Sequence, residues 1–290
     1  MLHLLDRFII KGIIFVGSRI VLSQSFCFHL FRKYGKGGIV EMSGRVCAKY
    51  IICCLMSLMV SCGMMGAFAD SYNPSEALDK LKSSNVRFSS GQSTHSNISA
   101  ERRKQVTTGG QHPFATIIAC SDSRVPVEIL FDQGVGDIFV IKVAGNVCNT
   151  DEIGSIEYGV DHLSTPVMVV LGHTHCGACT AVATGADVHG CIPDLIAPIR
   201  PALEKVQAAH PDLHGKALVP ALVEANVWKA IEDLLLRSSS TRERTKDGSV
   251  IVVGAVYDIE TGTIKWMGTH PEQDSFLTDV EEDMYYHNGH

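Results

Sequence analysis

Apolar and polar positions follow two rhythms along this chain, and the change falls near residue 70. Beyond it, short wholly apolar runs alternate with amphipathic stretches. Asn73–Ser90 predicts a helix, with Ala77, Leu78, Leu81 and Val86 at helical spacing and Ser75 as N-cap beside Pro74 and Glu76. Ser99–Thr107 predicts a second, and the pair forms an N-terminal helical arm. Ala115–Cys120 (ATIIAC), Ile138–Val143 (IFVIKV), Val167–Leu171 (VMVVL) and Ser249–Tyr257 (SVIVVGAVY) read as buried parallel strands. Asp151–Leu163, Gly177–Ala186, Pro193–His210 and Ala217–Leu236 read as helices, the third broken at Pro198 and Pro201. In the Asp151 helix, Ile153, Ile156, Tyr158 and Val160 are available for burial. Asp258–Gly262 is a turn, after which Thr263–Met267 returns as an antiparallel edge. Alternating strands and helices predict an α/β fold: a mostly parallel four-stranded sheet plus an antiparallel edge strand, flanked by helices. Residues 70–290 form one domain, whose last stretch, about 280–290 with His287 and His290, reads as a solvated acidic tail.

The first 69 residues are different. Arg45 and Lys49 precede an uncharged apolar run, Tyr50–Met65, and Ala67-Phe68-Ala69 supplies a small-x-small cleavage site before Asp70. These are the three parts of a secretory signal, and the run is shorter than the ~20 residues of a membrane-spanning helix. Residues 42–69 are therefore expected to be a signal peptide, and the mature protein to be periplasmic, with no membrane contact after cleavage. A membrane anchor, a buried helix, or lipidation at Cys62 are the alternatives. Residues 1–41 read as an upstream extension before a second start at Met42; their apolar stretch Phe8–Val21 is interrupted by Lys11 and Arg19.

Charge sharpens the picture. The chain carries −6, whereas residues 1–69 hold eight Lys/Arg against two Asp/Glu, leaving the body at about −12 by difference. An acidic body argues against nucleic acid as a partner, because phosphate binding needs a basic face. Five of the ten cysteines lie in the first 69 residues and five (Cys120, Cys148, Cys176, Cys179, Cys191) in the body. An odd number does not suggest a disulfide framework, although one pair among Cys148, Cys179 and Cys191 is open. In an oxidising compartment, a metal is a sensible reason to keep thiols free.

The chemistry concentrates just past two strand ends, where open α/β sheets place their sites. The first run leads into Cys120-Ser121-Asp122-Ser123-Arg124, and the third into Gly172-His173-Thr174-His175-Cys176-Gly177. If these strands are neighbours, two thiolates and an imidazole converge. Cys₂His is an open zinc set, three protein ligands with a fourth position left for water or substrate. Zinc there lowers the pKa of water to about 7, giving hydroxide at neutral pH. Asp122 is near enough in sequence to reach the metal as a fourth ligand. Arg124 can grip its carboxylate in bidentate fashion and hold it off.

These residues resemble the β-class carbonic anhydrases of exported bacterial type. The likeness runs from about Pro74 to Gly268 and rests on Cys120–Pro126 (CSDSRVP), Phe139–Asn146 (FVIKVAGN), Ser155–Leu163 (SIEYGVDHL) and Val169–Ala178 (VVLGHTHCGA). The resemblance implies zinc-dependent reversible hydration of carbon dioxide to bicarbonate and a proton. One Zn2+ per chain would sit on Cys120, His173 and Cys176, with Asp122–Arg124 as the catalytic dyad. Gln133 resembles the family's substrate-orienting glutamine, although an extra residue at Gly134–Asp137 disturbs that alignment. Tyr158 and Gly177 are carried as further pocket candidates, and Lys142 stands where many relatives have Arg. The resemblance also implies a homodimer or homotetramer, with the pocket at the dimer interface. Two rivals remain. A thiol oxidoreductase would use Cys176 and Cys179 as a Cys-x-x-Cys pair. A non-catalytic zinc module would close a four-ligand site with Asp122 or Cys179.

Overall fold

The computed structural model describes residues 13–16, 19–22 and 72–278. The chain divides into two compact units, Met1–Ala67 and Phe68–His290. In the first, β1 (Ile13–Val16) and β2 (Arg19–Leu22) pair antiparallel. The sequence read this stretch only as an interrupted apolar run. The predicted signal at residues 42–69, with Cys62, and the tail at 280–290 lie outside the described residues.

In the second unit the helical arm comes first: α1 (Pro74–Ser89) and α2 (Ala100–Gly109). The N-cap of α1 is Asn73, not Ser75. Its side chain accepts from the Glu76 amide while the Glu76 carboxylate accepts from the Asn73 amide, a reciprocal capping box. Ser75 instead donates its hydroxyl to Asn73 Oδ1. Ala77, Leu81, Ser84 and Asn85 face inward, so Val86 falls on the outside and is 65% exposed.

The core sheet has β3 (Thr116–Ala119), β4 (Phe139–Lys142), β5 (Val167–His173), β6 (Ile251–Tyr257) and β7 (Ile264–Gly268) in the order β4-β3-β5-β6-β7. The first four are parallel and β7 is antiparallel to β6, as expected. Side chains alternate between faces with the strand period of two. Ile118, Met168, Val170 and Val252 join one apolar cluster; Ile117, Val169, Leu171, Val253 and Ala255 join the other. Both faces are therefore covered, the condition for parallel strands that read as continuous apolar runs. β4 departs from the expected burial. It pairs only with β3, so three of its four residues are half-buried and Lys142 is exposed.

The second face of the sheet is covered by α3 (Val127–Leu130) and α1. On the first face lie α4 (Thr150–Glu157), α5 (Gly177–Thr184), α6 (Ile192–Ile196), α7 (Arg200–Ala209) and the long α8 (Val219–Arg237). α4 passes into one π-helical turn, Tyr158–His162. The chain continues through α9 (Ser239–Lys246) into β6 and ends its described part at α10 (Gln273–Phe276). α8 reaches the sheet closely because Gly172 and Gly254 lie beneath it. A Cβ at Gly172 would come within 2.7 Å of Val227, and one at Gly254 within 2.8 Å. Among the described residues, no helix is long and apolar enough to cross a membrane.

Candidate metal centre

The register explains why distant residues meet. β3 and β5 are adjacent, with Ala119 opposite Leu171, so Cys120 leaves β3 beside the C-terminal end of β5, whose last residue is His173. Cys176 follows as the N-cap of α5, where the helix's positive end favours a thiolate. Cys120 Sγ, a His173 ring nitrogen and Cys176 Sγ lie within 4.8 Å of one another, and all three residues are buried.

Each is held by its surroundings. His173 Nδ1 lies 2.9 Å from the Thr174 carbonyl. A carbonyl only accepts, so Nδ1 carries the proton and Nε2 keeps its lone pair. That Nε2 is buried with no hydrogen-bond partner, a costly arrangement for an imidazole unless a cation takes the lone pair. Cys120 Sγ accepts from the Gly145 amide at 3.3 Å. The neighbouring Cys176 thiol, and then burial, push Cys120 up to about 12. For Cys176, contact with Cys120 pulls the pKa down, but Cys179 and burial outweigh it and leave the thiol up at about 11. Two soft sulfurs and an imidazole suit zinc, which would displace both protons. The donor set thus fits the ion.

Asp122 and Arg124 adjoin this cluster as a closed pair. Asp122 Oδ1 accepts from the Arg124 amide at 2.9 Å and from Nε at 3.0 Å, and Oδ2 accepts from the guanidinium at 2.8 Å. These bonds, led by the guanidinium contact, hold the carboxyl well below the usual carboxylate range. The same oxygen stands 4.0 Å from His173 Nε2. Arg124 also donates to the carbonyl of His175, which is turned by a left-handed backbone at φ 57°. Lys142, which stands where many relatives have Arg, braces the loop by donating to the Val125 carbonyl at 2.8 Å and, at 3.4 Å, to that of Asp122.

The pocket candidates are placed differently. Gly177 is exposed at the start of α5, beside Cys176, with nothing within 4 Å of where a Cβ would lie. Gln133 donates to Ser84 Oγ at 3.0 Å and to the Phe131 carbonyl at 2.8 Å, bonds that tie it to α1 and to the end of α3 rather than to the cluster. Tyr158 is 47% exposed, so it is not the helix-face core residue its spacing suggested. Its ring rests on Phe139, which pairs with Thr116 at the N-terminal ends of the strands, whereas the cluster lies past their C-terminal ends. Within one chain, neither side chain joins the site. Gly145 and Thr174 are supporting residues that sequence reasoning missed. Their contribution is a backbone group, which no side-chain motif announces. The five described cysteines are free, with Cys148 and Cys179 buried and Cys191 exposed.

Comparison with known proteins agrees with this geometry. A family model described as carbonic anhydrase matches residues 115–264. Carbonic anhydrase 2 of Mycobacterium tuberculosis is 38% identical over 194 residues, covering 66% of this chain and 91% of that protein. A carbonic anhydrase of Mycolicibacterium smegmatis is 36% identical, over 67% of this chain and 93% of its own. Among solved structures, the β-carbonic anhydrase CafA of Aspergillus fumigatus superposes with a TM-score of 0.55 at 28% identity, covering 70% of this chain and 96% of that one. A tetrameric β-carbonic anhydrase of Sordaria macrospora gives 0.54 at 25%, over 64% and 94%. On these matches the chain belongs to the carbonic anhydrase family, in its β class, and is an enzyme of the lyase kind.

Proposed function

We propose that this enzyme catalyses the reversible hydration of carbon dioxide on one zinc held by Cys120, His173 and Cys176. The observation that carries the reading is the buried, unpartnered Nε2 of His173 among two thiols at adjoining strand ends. Zinc, when bound, lowers the pKa of water toward neutrality and so supplies hydroxide. Asp122, kept ionised by Arg124, accepts a hydrogen bond from the nucleophile and orients it. Arg124 occupies both carboxylate oxygens and so keeps Asp122 from closing the site as a fourth ligand. A non-catalytic zinc module would have the opposite arrangement.

The site works as part of a homo-oligomer in this reading. Val86, Ile98 and Ile129 are each more than half exposed, although large and apolar. Gln133 and Tyr158, which their own chain keeps away from its cluster, are available to a partner's pocket. The Sordaria relative is tetrameric. We propose further that residues 42–69 direct export and that the mature chain begins near Asp70; a full-length intact mass in the exported fraction would contradict this. Carbon dioxide hydration should rise from mildly acidic to alkaline pH, because hydroxide is the attacking group. Replacing Cys120 or Cys176 by Ser should strip the zinc, whereas Cys179→Ser should keep both zinc and activity. Full zinc occupancy in either of the first two variants contradicts the ligand assignment; loss of zinc in the third would make Cys179 a ligand, as the closed four-ligand module requires.

A further inference from the structure

α8 turns nine buried residues inward, and eight of them are apolar. The exception is Asn226, 2% exposed, between Val223 and Val227. Those two valines pack on Gly172, the residue before His173. An amide buried in an apolar stripe is costly unless it is hydrogen-bonded. Nothing in the packing of α8 calls for one, since Leu or Val fills the neighbouring positions. Asn226 Nδ2 donates to the Gly145 carbonyl at 2.7 Å, across 81 positions of sequence.

Gly145 is the residue whose own amide donates to Cys120 Sγ. Its backbone is left-handed, at φ 80°, and a Cβ there would lie 2.8 Å from Ile199 and 3.1 Å from Ala178. On its N-terminal side the turn is latched to the sheet, with the Val143 amide on Ala119 and the Ser121 amide on the Val143 carbonyl, both at 3.1 Å. On its C-terminal side the Gly145–Asn146 peptide is held by two bonds, from the Asn226 amide to its carbonyl and from its own N–H to the Val143 carbonyl at 3.1 Å; Asn226 is the tie that reaches it from another element. An N–H directed at a thiolate fixes the sulfur's lone-pair direction and draws charge from it, which tunes a metal bond.

We infer that Asn226 is a positioning residue for the metal centre, acting through the Gly145 carbonyl to keep the Gly145 amide on Cys120 Sγ. The inference rests on the reading of Cys120 as a zinc ligand. It separates metal binding from folding. Asn226→Leu removes the donor but continues the apolar stripe, so the lost bond to the buried Gly145 carbonyl and the gained apolar packing oppose each other and the melting temperature should change little. Zinc loss to a chelator should nevertheless accelerate by about tenfold or more, the usual effect of removing a partner of a metal ligand. The thiolate-to-cobalt charge-transfer band of the cobalt(II)-loaded full chain should move to lower energy, because the thiolate becomes a stronger donor. Asn226→Ser, too short to reach Gly145, should show the same band shift. An unchanged band and unchanged zinc loss in both variants overturns the inference. So does zinc loss that merely follows a fall in melting temperature while the band stays put. The unmutated chain gives an independent reading: with ¹¹³Cd bound, the Gly145 amide proton should show scalar coupling to the metal, and its absence also overturns the inference. Cys120→Ser distinguishes the two levels. If it binds cobalt with a charge-transfer band of undiminished intensity, the ligand assignment fails; if the intensity or the metal is lost while Asn226→Leu has no effect, only the role of Asn226 fails.

Discussion

Two thiols that hold their protons at neutral pH must give them up when they bind a metal. Cys120 at about 12 and Cys176 at about 11 are both protonated in the metal-free chain. A ligating thiolate cannot keep its proton, so zinc uptake near pH 8 should release two protons per chain. Zinc affinity should therefore rise with pH, by up to roughly 100-fold per unit below these values. Calorimetry in buffers of different ionisation enthalpy checks the count, and release of fewer than one proton would contradict two thiolate ligands. Arg124→Ala tests the next residue outward. With the guanidinium gone, Asp122 has the metal as its remaining partner, so activity should fall about 100-fold, the scale of a misplaced catalytic group, while zinc stays. Adding Asp122→Asn should recover part of the loss, because an amide is a poorer ligand. It should not recover all, because the nucleophile loses its acceptor. An open, water-bearing zinc in a crystal of Arg124→Ala would overturn the gating account. Cys120, Asp122, Arg124, His173 and Cys176 were legible in the sequence because their types and spacings are constrained together at two strand ends. Gly145, Thr174 and Asn226 were not: the first two act through backbone groups, and the third is one amide in an apolar helix face.

At the scale of elements, apolar runs located the core strands well, and alternation with helices gave their parallel sense. What periodicity could not give was position in the sheet. Ile138–Val143 has the composition of a buried strand, yet Phe139–Lys142 is an edge, because edge status depends on which strands pair rather than on the strand itself. α9 was missed for the opposite reason. Its sequence, SSTRERTK, has no apolar period, and it is started by the Ser238 cap, whose hydroxyl accepts from the Thr241 amide at 3.2 Å. The contact of α8 with the sheet is testable through its glycines. Gly254→Ala would set a methyl 2.8 Å from Val227 and 3.0 Å from Trp228. Overpacking of this kind costs about 1–3 kcal/mol. Denaturant unfolding should show that loss, and a neutral result would mean that α8 can move away from β6 freely.

Across the whole unit, the two helices of the arm are joined by a segment pinned to the loop after α3. Asp132 accepts from the amides of Thr94 and His95, the Thr94 hydroxyl and Arg87 Nε. Burial alone would raise its pKa, but these bonds outweigh it and hold the carboxyl well below the usual range. A depressed folded pKa stabilises above the unfolded value of about 4 and loses that contribution as pH falls below it. Asp132→Ala should cost about 2–3 kcal/mol at pH 7, the low end for a buried ion pair because Arg87 stays partly in water. The difference from the unmutated chain should shrink steadily below pH 4 in chemical denaturation. A gap that is constant with pH would assign the loss to packing instead.

The central claim is that one zinc on Cys120, His173 and Cys176 makes this chain a carbon dioxide hydratase. Stopped-flow hydration measured together with metal content on a single preparation tests it most directly, before chelation, after it and after zinc is returned. The account predicts one zinc per chain, loss of hydration in step with loss of zinc, and recovery on re-addition. Hydration that survives removal of the metal, or a fully zinc-loaded chain with none, would contradict it.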